Sequence, residues 1–315
     1  MLQSIIRFII NRFSLHNQQL VDSSTIRPLF VGLQGCQGIG KTTITENISK
    51  KLRNDPYNLN VLTISLDDLY LTRSSQIELE INRPNNDLLK GRGLAGTHDL
   101  PKMIELFKSL ETINQMTIPR IIKIPKYDKS AYNGLGDREK ELKIYEFNNK
   151  LDIIILEGWM TGFEPISTNQ LKQKYEESNQ DFNKSINYVK GQKFDNLSQI
   201  NNLLIPYQNE IWNKLDLLIK FKPSDLNYVY PWRLEQEETM KSKNGGKGMT
   251  EEEVKSFISR YMTSYELYND NFSIRTNPSI TNSFNVIEIT LNQFREPIKI
   301  MSSNDIELTN SFLPD

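Results

Sequence analysis

The sequence predicts an α/β protein: a doubly wound, mostly parallel sheet with helices on both faces and a small lid region. Two observations carry this. Short continuous apolar runs recur along the chain, as strands buried on both faces require. The first two, Leu29–Leu33 and Val61–Leu66, are separated by a Gly-rich turn and the apolar face Ile44, Ile48, Leu52 of a helix. A strand, turn, helix and strand over about thirty residues make a right-handed βαβ unit, whose strands run parallel beneath the crossover helix.

Each element follows from its local pattern. Ile5, Phe8, Ile9 and Phe13 fall at helical spacing, which predicts an amino-terminal helix packed beside the first strand. Met1–Val21 holds Arg7 and Arg12 and no acidic residue, a composition that organellar transit peptides share. Its low Arg content favours the helix, and the expected location is the cytoplasm, with the nucleus also open. A further helix begins near Leu100, and another covers Glu251–Leu267. Thr250 and Glu253 form a capping box ahead of the latter, each side chain satisfying the other's backbone donor. Further buried strands are expected at Ile121–Ile124, Ile153–Leu156, Leu217–Phe221 and Val286–Ile289. Thr168–Asn202 is rich in Asn, Gln and Lys, and reads as a solvated, partly disordered insertion. Lys241–Gly248 reads as a mobile loop.

Composition removes several classes of function. The chain has 315 residues, one cysteine and two histidines. A lone Cys36 closes no internal disulfide and joins no cysteine zinc cluster, so a reducing compartment fits best. His16 and His98 cannot build a three-His metal site. Acid–base chemistry must therefore lean on carboxylates, Lys or Arg. With 38 Lys+Arg against 39 Asp+Glu the net charge is −1, which gives no global attraction to nucleic acid or anionic membrane. No stretch approaches the ~20 apolar residues of a bilayer span.

Gly35-Cys36-Gln37-Gly38-Ile39-Gly40-Lys41-Thr42 fits the phosphate-binding-loop pattern at every fixed position, directly after a strand and before a helix. Glycines let backbone N–H groups curl round a phosphate, and the helix amino end adds partial positive charge. Lys41 is placed to reach the β and γ phosphates, and the Thr42 hydroxyl to ligate Mg²⁺, with Thr43 following. The fold expected is thus that of the P-loop NTPases. Cys36, inside the loop, reads as inert filler, and Ile39 is expected to pack outward.

A P-loop does not name a reaction. Asn-Lys-Leu-Asp occurs at Asn149–Asp152 and Asn213–Asp216, which superficially suggests a GTPase. Both copies precede apolar runs, whereas a guanine-reading loop follows a strand, and no Asp-x-x-Gly is present. The second strand runs into Asp67-Asp68, at the carboxyl end where ligands bind in open parallel sheets. Alternation along a strand lets one of the pair face the acceptor, and Asp67 is expected to take the proton of an acceptor hydroxyl, or to orient it, during in-line transfer. Asp68 suits a cap on the next helix. Ile153–Leu156 ends in Glu157, the position of a carboxylate that holds Mg²⁺ directly or through water.

These segments, with Gly91-Arg92-Gly93-Leu94-Ala95-Gly96-Thr97-His98-Asp99, Lys126-Tyr127-Asp128-Lys129-Ser130, Tyr230-Pro231-Trp232-Arg233 and Phe257–Met262, resemble the D-glycerate 3-kinase family, including its fungal branch of uncharacterised ATP-dependent kinases. The wider group includes phosphoribulokinase, uridine kinase and pantothenate kinase. The resemblance implies a single kinase domain: an amino-terminal helix over 1–27, a nucleotide- and acceptor-binding half over 28–163, the polar insertion over 164–205, and a lid and carboxyl-terminal half over 206–315. It implies transfer of the ATP γ-phosphoryl to a hydroxyl of a small anionic acid, D-glycerate first, with nucleoside- or pantothenate-type acceptors or a non-catalytic ATP-binding protein as alternatives. Arg92 offers a planar fork for a carboxylate. Arg120, Lys123, Lys126 and Lys129 concentrate positive charge, and Arg138 follows. Asp68, Tyr70, His98, Asp99, Lys126, Tyr127 and Arg138 join Arg92 as acceptor-side candidates. His98 and Asp99 either contact the acceptor or order its loop, Asp99 equally as a helix cap. Arg233 resembles the lid arginine that closes over the phosphate, unless it pairs with Glu235 or Glu237. Arg260 is placed to reach the nucleotide.

Overall fold

A six-stranded sheet organises the molecule: β1 (Leu29–Gly35), β2 (Val61–Ser65), β5 (Ile153–Gly158), β6 (Leu217–Pro223), β7 (Asn285–Leu291) and β8 (Pro297–Ser302), in the order β2-β5-β1-β6-β7-β8. This computed structural model describes residues 1–21, 26–180, 187–243, 245–246, 248–269 and 285–302. Neighbours pair in parallel except β8, which returns antiparallel along β7. β1 and β5 are buried at every position, which is why both read as unbroken apolar runs. The first βαβ unit is not a pair of neighbours, because the more apolar β5 inserts between β1 and β2. β1 is therefore central, with the chain winding out on both sides, and its carboxyl end opens at the reversal of strand order, where doubly wound sheets bind ligands.

The helices are α1 (Leu2–Val21), α2 (Lys41–Arg53), α3 (Arg73–Asn82), α4 (Leu100–Glu111), α5 (Thr168–Gln180), α6 (Phe194–Glu210), α7 (Val229–Lys243) and α8 (Glu251–Tyr268). α1 buries Ile5, Ile6 and Ile9 completely and packs against α2 and β6, the sheet neighbour of β1. α4 opens on Asp99, whose carboxylate accepts from the Lys102 amide at 3.1 Å, and α8 opens on the complete Thr250–Glu253 capping box. No helix among the described residues is long and apolar enough to cross a membrane.

Three expectations are corrected. Ile121–Ile124 lies in β3 (Arg120–Asp128), which pairs antiparallel with β4 (Asp137–Phe147) in a separate hairpin. Its residues alternate, Ile122 and Ile124 buried and Ile121 half exposed, as in a sheet covered on one face only. Thr168–Asn202 is largely helical, in α5 and most of α6, apart from residues 181–186, which lie outside the described residues. α6 buries Leu197, Ile200, Leu204 and Tyr207, and the Asn201 amide bonds both the N–H and the carbonyl of Ile166, so polar residues there pin the core. Lys241–Lys243 continue α7, while Asn244 and Lys247 of the expected loop lie outside the described residues.

Both Asn-Lys-Leu-Asp segments close the opposite end of the sheet from the P-loop. Asp152 accepts from the Asn60 amide and Asp216 from the Phe30 amide, and Asp216 also pairs with Arg27 at 2.5 Å. Asp216 is buried and Arg27 is partly open. Asp216→Ala should therefore cost about 2–3 kcal/mol, below the full penalty for breaking a buried pair because solvent reaches the arginine. The urea midpoint should fall with an unchanged slope, and an unmoved midpoint would show that the pair contributes nothing.

Candidate functional site

Gly35–Thr42 carries the chain from the end of β1 into the first turn of α2. Gly38 and Gly40 hold left-handed φ values of 74° and 94°, which let the loop curl back on itself. Lys41 Nζ donates to the Cys36 carbonyl at 3.1 Å across the mouth of the loop, and Thr42 and Thr43 stand exposed on the helix amino end. Ile39 packs inward, not outward: it is 1% exposed and its Cγ2 lies beneath Gly35. The apolar side chain fills the core under the loop and leaves the backbone facing out. Burial pushes the Cys36 thiol up to about 12 against the pull of Lys41, so it is the inert filler expected.

The carboxylates are placed differently from the prediction. β2 stops at Ser65, and Leu66–Leu69 form a 3₁₀ turn. Asp67 and Asp68 thus diverge by a third of a turn rather than by strand alternation. Asp67 pairs with Lys129 at 2.5 Å, while Asp68 pairs with Lys143 at 2.6 Å and accepts from the Tyr127 amide. Asp68 caps nothing, since Thr72 caps α3. Burial works to raise the Asp67 carboxyl, but the charge and hydrogen bond of Lys129, then Lys41 and His98, hold it well below the usual carboxylate range. Glu157 closes β5 beside it, accepting from the Ser65 hydroxyl at 2.6 Å. Burial pushes its carboxyl up, with Lys41 opposing.

Among the acceptor-side candidates Tyr70 and His98 lie close enough to Asp67 to feel its charge, and most of the others are engaged by neighbouring groups. Arg92 donates to the carbonyls of Gly134 and Leu135 at 2.7 and 2.6 Å and lies over the Tyr127 ring. Arg138 bonds Asp99 and the Tyr70 carbonyl, and Lys126 pairs with Glu139. His98 is 3% exposed, stacks on Tyr70 with ring centroids 4.3 Å apart, and bonds the Tyr207 hydroxyl at 3.0 Å. Burial brings it down to about 3 against the pull of Asp67, so the imidazole is neutral and orders the loop. Arg260 lies beside Gly91, at the start of the Gly91–Asp99 loop. Arg233 is buried and pairs with Glu237 at 2.6 Å, over the Phe257 ring, so it is not a surface ion pair.

Three residues at this site escaped the sequence reading. Arg295, in the turn after β7, donates to the Gly38 carbonyl at 2.8 Å and covers the Trp232 ring. Tyr265 of α8 accepts from the Gln37 amide at 3.2 Å and donates to the Gln37 side chain. One turn earlier, Tyr261 donates to the Arg92 carbonyl at 3.3 Å, so one face of α8 touches both the P-loop and the Gly91–Asp99 loop. The four-residue spacing of Tyr261 and Tyr265 is visible in the sequence, but nothing local tells a helix which loops it will meet.

No family model matches the chain. It is 36% identical over 276 residues to uncharacterized kinase mug58 of Schizosaccharomyces pombe, covering 86% of this chain and 91% of that protein. With chloroplastic D-glycerate 3-kinase of Arabidopsis thaliana it shares 34% identity over 289 residues, which span 91% of this chain and 58% of the plant protein. Among solved structures, D-glycerate 3-kinase from Cryptococcus neoformans superposes with a TM-score of 0.85 at 37% identity, covering 96% of this chain and 99% of that one.

Proposed function

The chain belongs to the D-glycerate 3-kinase family, and from that premise we propose that it transfers the γ-phosphoryl group of ATP to a hydroxyl of D-glycerate. The observation that carries this reading is the convergence of Lys41, Asp67 and Glu157 at the carboxyl ends of the strands, beside a glycine-rich loop edged with cations. The acceptor hydroxyl gives its proton to Asp67 as its oxygen attacks the γ-phosphorus, and the bond to the bridging oxygen of ADP breaks in line. Lys41 holds the phosphates against the backbone amides of the loop. Arg233 would reach the transferring group only after parting from Glu237.

Mg²⁺ fits the donors present. Thr42 offers an exposed hydroxyl at the helix amino end and Glu157 a carboxylate that faces Lys41, both hard oxygens. No group of three or more His, Cys, Asp or Glu among the described residues is placed to hold an ion, so phosphate and water oxygens would complete its shell. When bound, the ion neutralises charge on the phosphates. A lone buried cysteine suits a reducing compartment, and the cytoplasm is where we place the reaction.

A γ-phosphoryl transfer assay with a panel of D-glycerate, uridine and pantothenate tests the reading. D-Glycerate should be turned over far faster than the others. A protein that binds ATP yet phosphorylates no member of the panel would overturn it.

A further inference from the structure

The cations expected to attract an anionic acceptor are not equivalent. Arg120 is buried and bonds the carbonyls of Ile113 and Asn149. Arg92, the fork predicted to grip the substrate carboxylate, is engaged by loop carbonyls, and one of its N–H groups reaches the Lys129 carbonyl at 3.4 Å. Lys129 differs from both, because its ammonium stands on Asp67, the group that meets the reacting hydroxyl. The pair is partly open to solvent: the Lys129 side chain is 52% exposed and that of Asp67 30% exposed.

We infer that Lys129 is the acceptor's carboxylate-binding group, and that it exchanges partners when the acceptor arrives. Its ammonium leaves Asp67 for the substrate carboxylate, which uncovers the Asp67 oxygen for the hydroxyl proton. The inference rests on the reading of Asp67 as proton acceptor. Geometry supports the exchange. In a three-carbon hydroxy acid the carboxylate and the hydroxyls are only a few bonds apart, so a cation touching the base is within reach of the carboxylate. An ammonium is a compact charge with three donors on a flexible stem, and it can bond both carboxylates during the exchange. Meanwhile Arg92 holds the backbone of Lys129, so the side chain can swing while the loop stays. The paired state also explains why Asp67 is so weak a base without substrate: its carboxyl is held far below the usual range by this partner. A neutral hydroxyl compound brings no charge to draw Lys129 away. The device therefore ties uncovering of the base to a negative charge at the right distance from the hydroxyl.

Kinetics of the full chain with Lys129→Met and Lys129→Arg test this, using D-glycerate and its neutral amide as matched acceptors. The Met variant should lose about 10- to 100-fold in kcat/KM for D-glycerate, chiefly in KM, as loss of a charged hydrogen bond implies. It should keep or gain activity with the amide and keep its KM for ATP. The Arg variant should recover part of the loss. Calorimetric titration with D-glycerate should show the same weakening without relying on turnover of the amide. Equal losses on both acceptors, or undiminished preference for D-glycerate, would overturn the exchange alone. Wild-type protein that binds ATP without phosphorylating D-glycerate would overturn the functional reading and this inference with it.

Discussion

Asp67→Asn should abolish phosphoryl transfer while leaving nucleotide binding intact. The amide has the shape of the carboxylate and its oxygen can still accept from Lys129, so the 3₁₀ turn and the loop above it keep their contacts. It cannot take a proton, and a positioned general base contributes about 10²- to 10⁴-fold in rate. Turnover should fall by that factor with D-glycerate saturating. ATP affinity should hold or tighten slightly, because the carboxylate sits close enough to Lys41 to be stabilised by it and would repel an anionic nucleotide. The fold should survive, since the ion pair is partly open to solvent and contributes little to stability. Steady-state kinetics together with calorimetric ATP titration separate the two quantities. A loss of less than about tenfold in turnover would remove Asp67 from the proton-accepting role.

The same region shows which signals a sequence carries. The P-loop, the capping box of α8, the Asp99 cap and the apolar strands were legible because each is written within a few consecutive residues. What was lost is non-local. Asp67 stands in a legible strand-end pattern, but its partner Lys129 lies 62 residues away on a hairpin whose second strand, Asp137–Phe147, is too charged to read as a strand. Ile39 was aimed outward because the pattern of the loop says nothing of what lies beneath Gly35. Polar composition misled over α6, where Asn201 faces inward and satisfies the backbone of Ile166. Arg92 was identified as a fork for carboxylate, and a guanidinium does make such forks, but here carbonyls took them. Those carbonyls, of Gly134 and Leu135, lie more than forty residues along the chain, where no local pattern points to them.

Gly38 shows how strongly the P-loop depends on the far end of the chain. A Cβ there would lie 2.5 Å from the Trp232 carbonyl carbon and 2.6 Å from its oxygen, at a φ of 74° that already disfavours alanine. Backbone atoms of α7 cannot rotate aside as a side chain tip could, so the loop itself must retreat. The left-handed strain costs roughly 1–2 kcal/mol and the forced repacking about 1–3 more, so Gly38→Ala should weaken ATP binding by about 30-fold or more. Gly40→Ala is the control: its φ of 94° is equally left-handed, yet nothing lies within 4 Å of the added carbon. It should carry strain alone and bind ATP more tightly than the Gly38 variant. Were the two equally impaired, contact with Trp232 would play no part in shaping the loop. The expected difference means that the phosphate cradle is completed by α7, which supplies Trp232, and by Arg295, which holds the Gly38 carbonyl. On this ground a fragment ending near Phe163 should keep the P-loop sequence but lose the contacts from Trp232 and Arg295 that shape the loop.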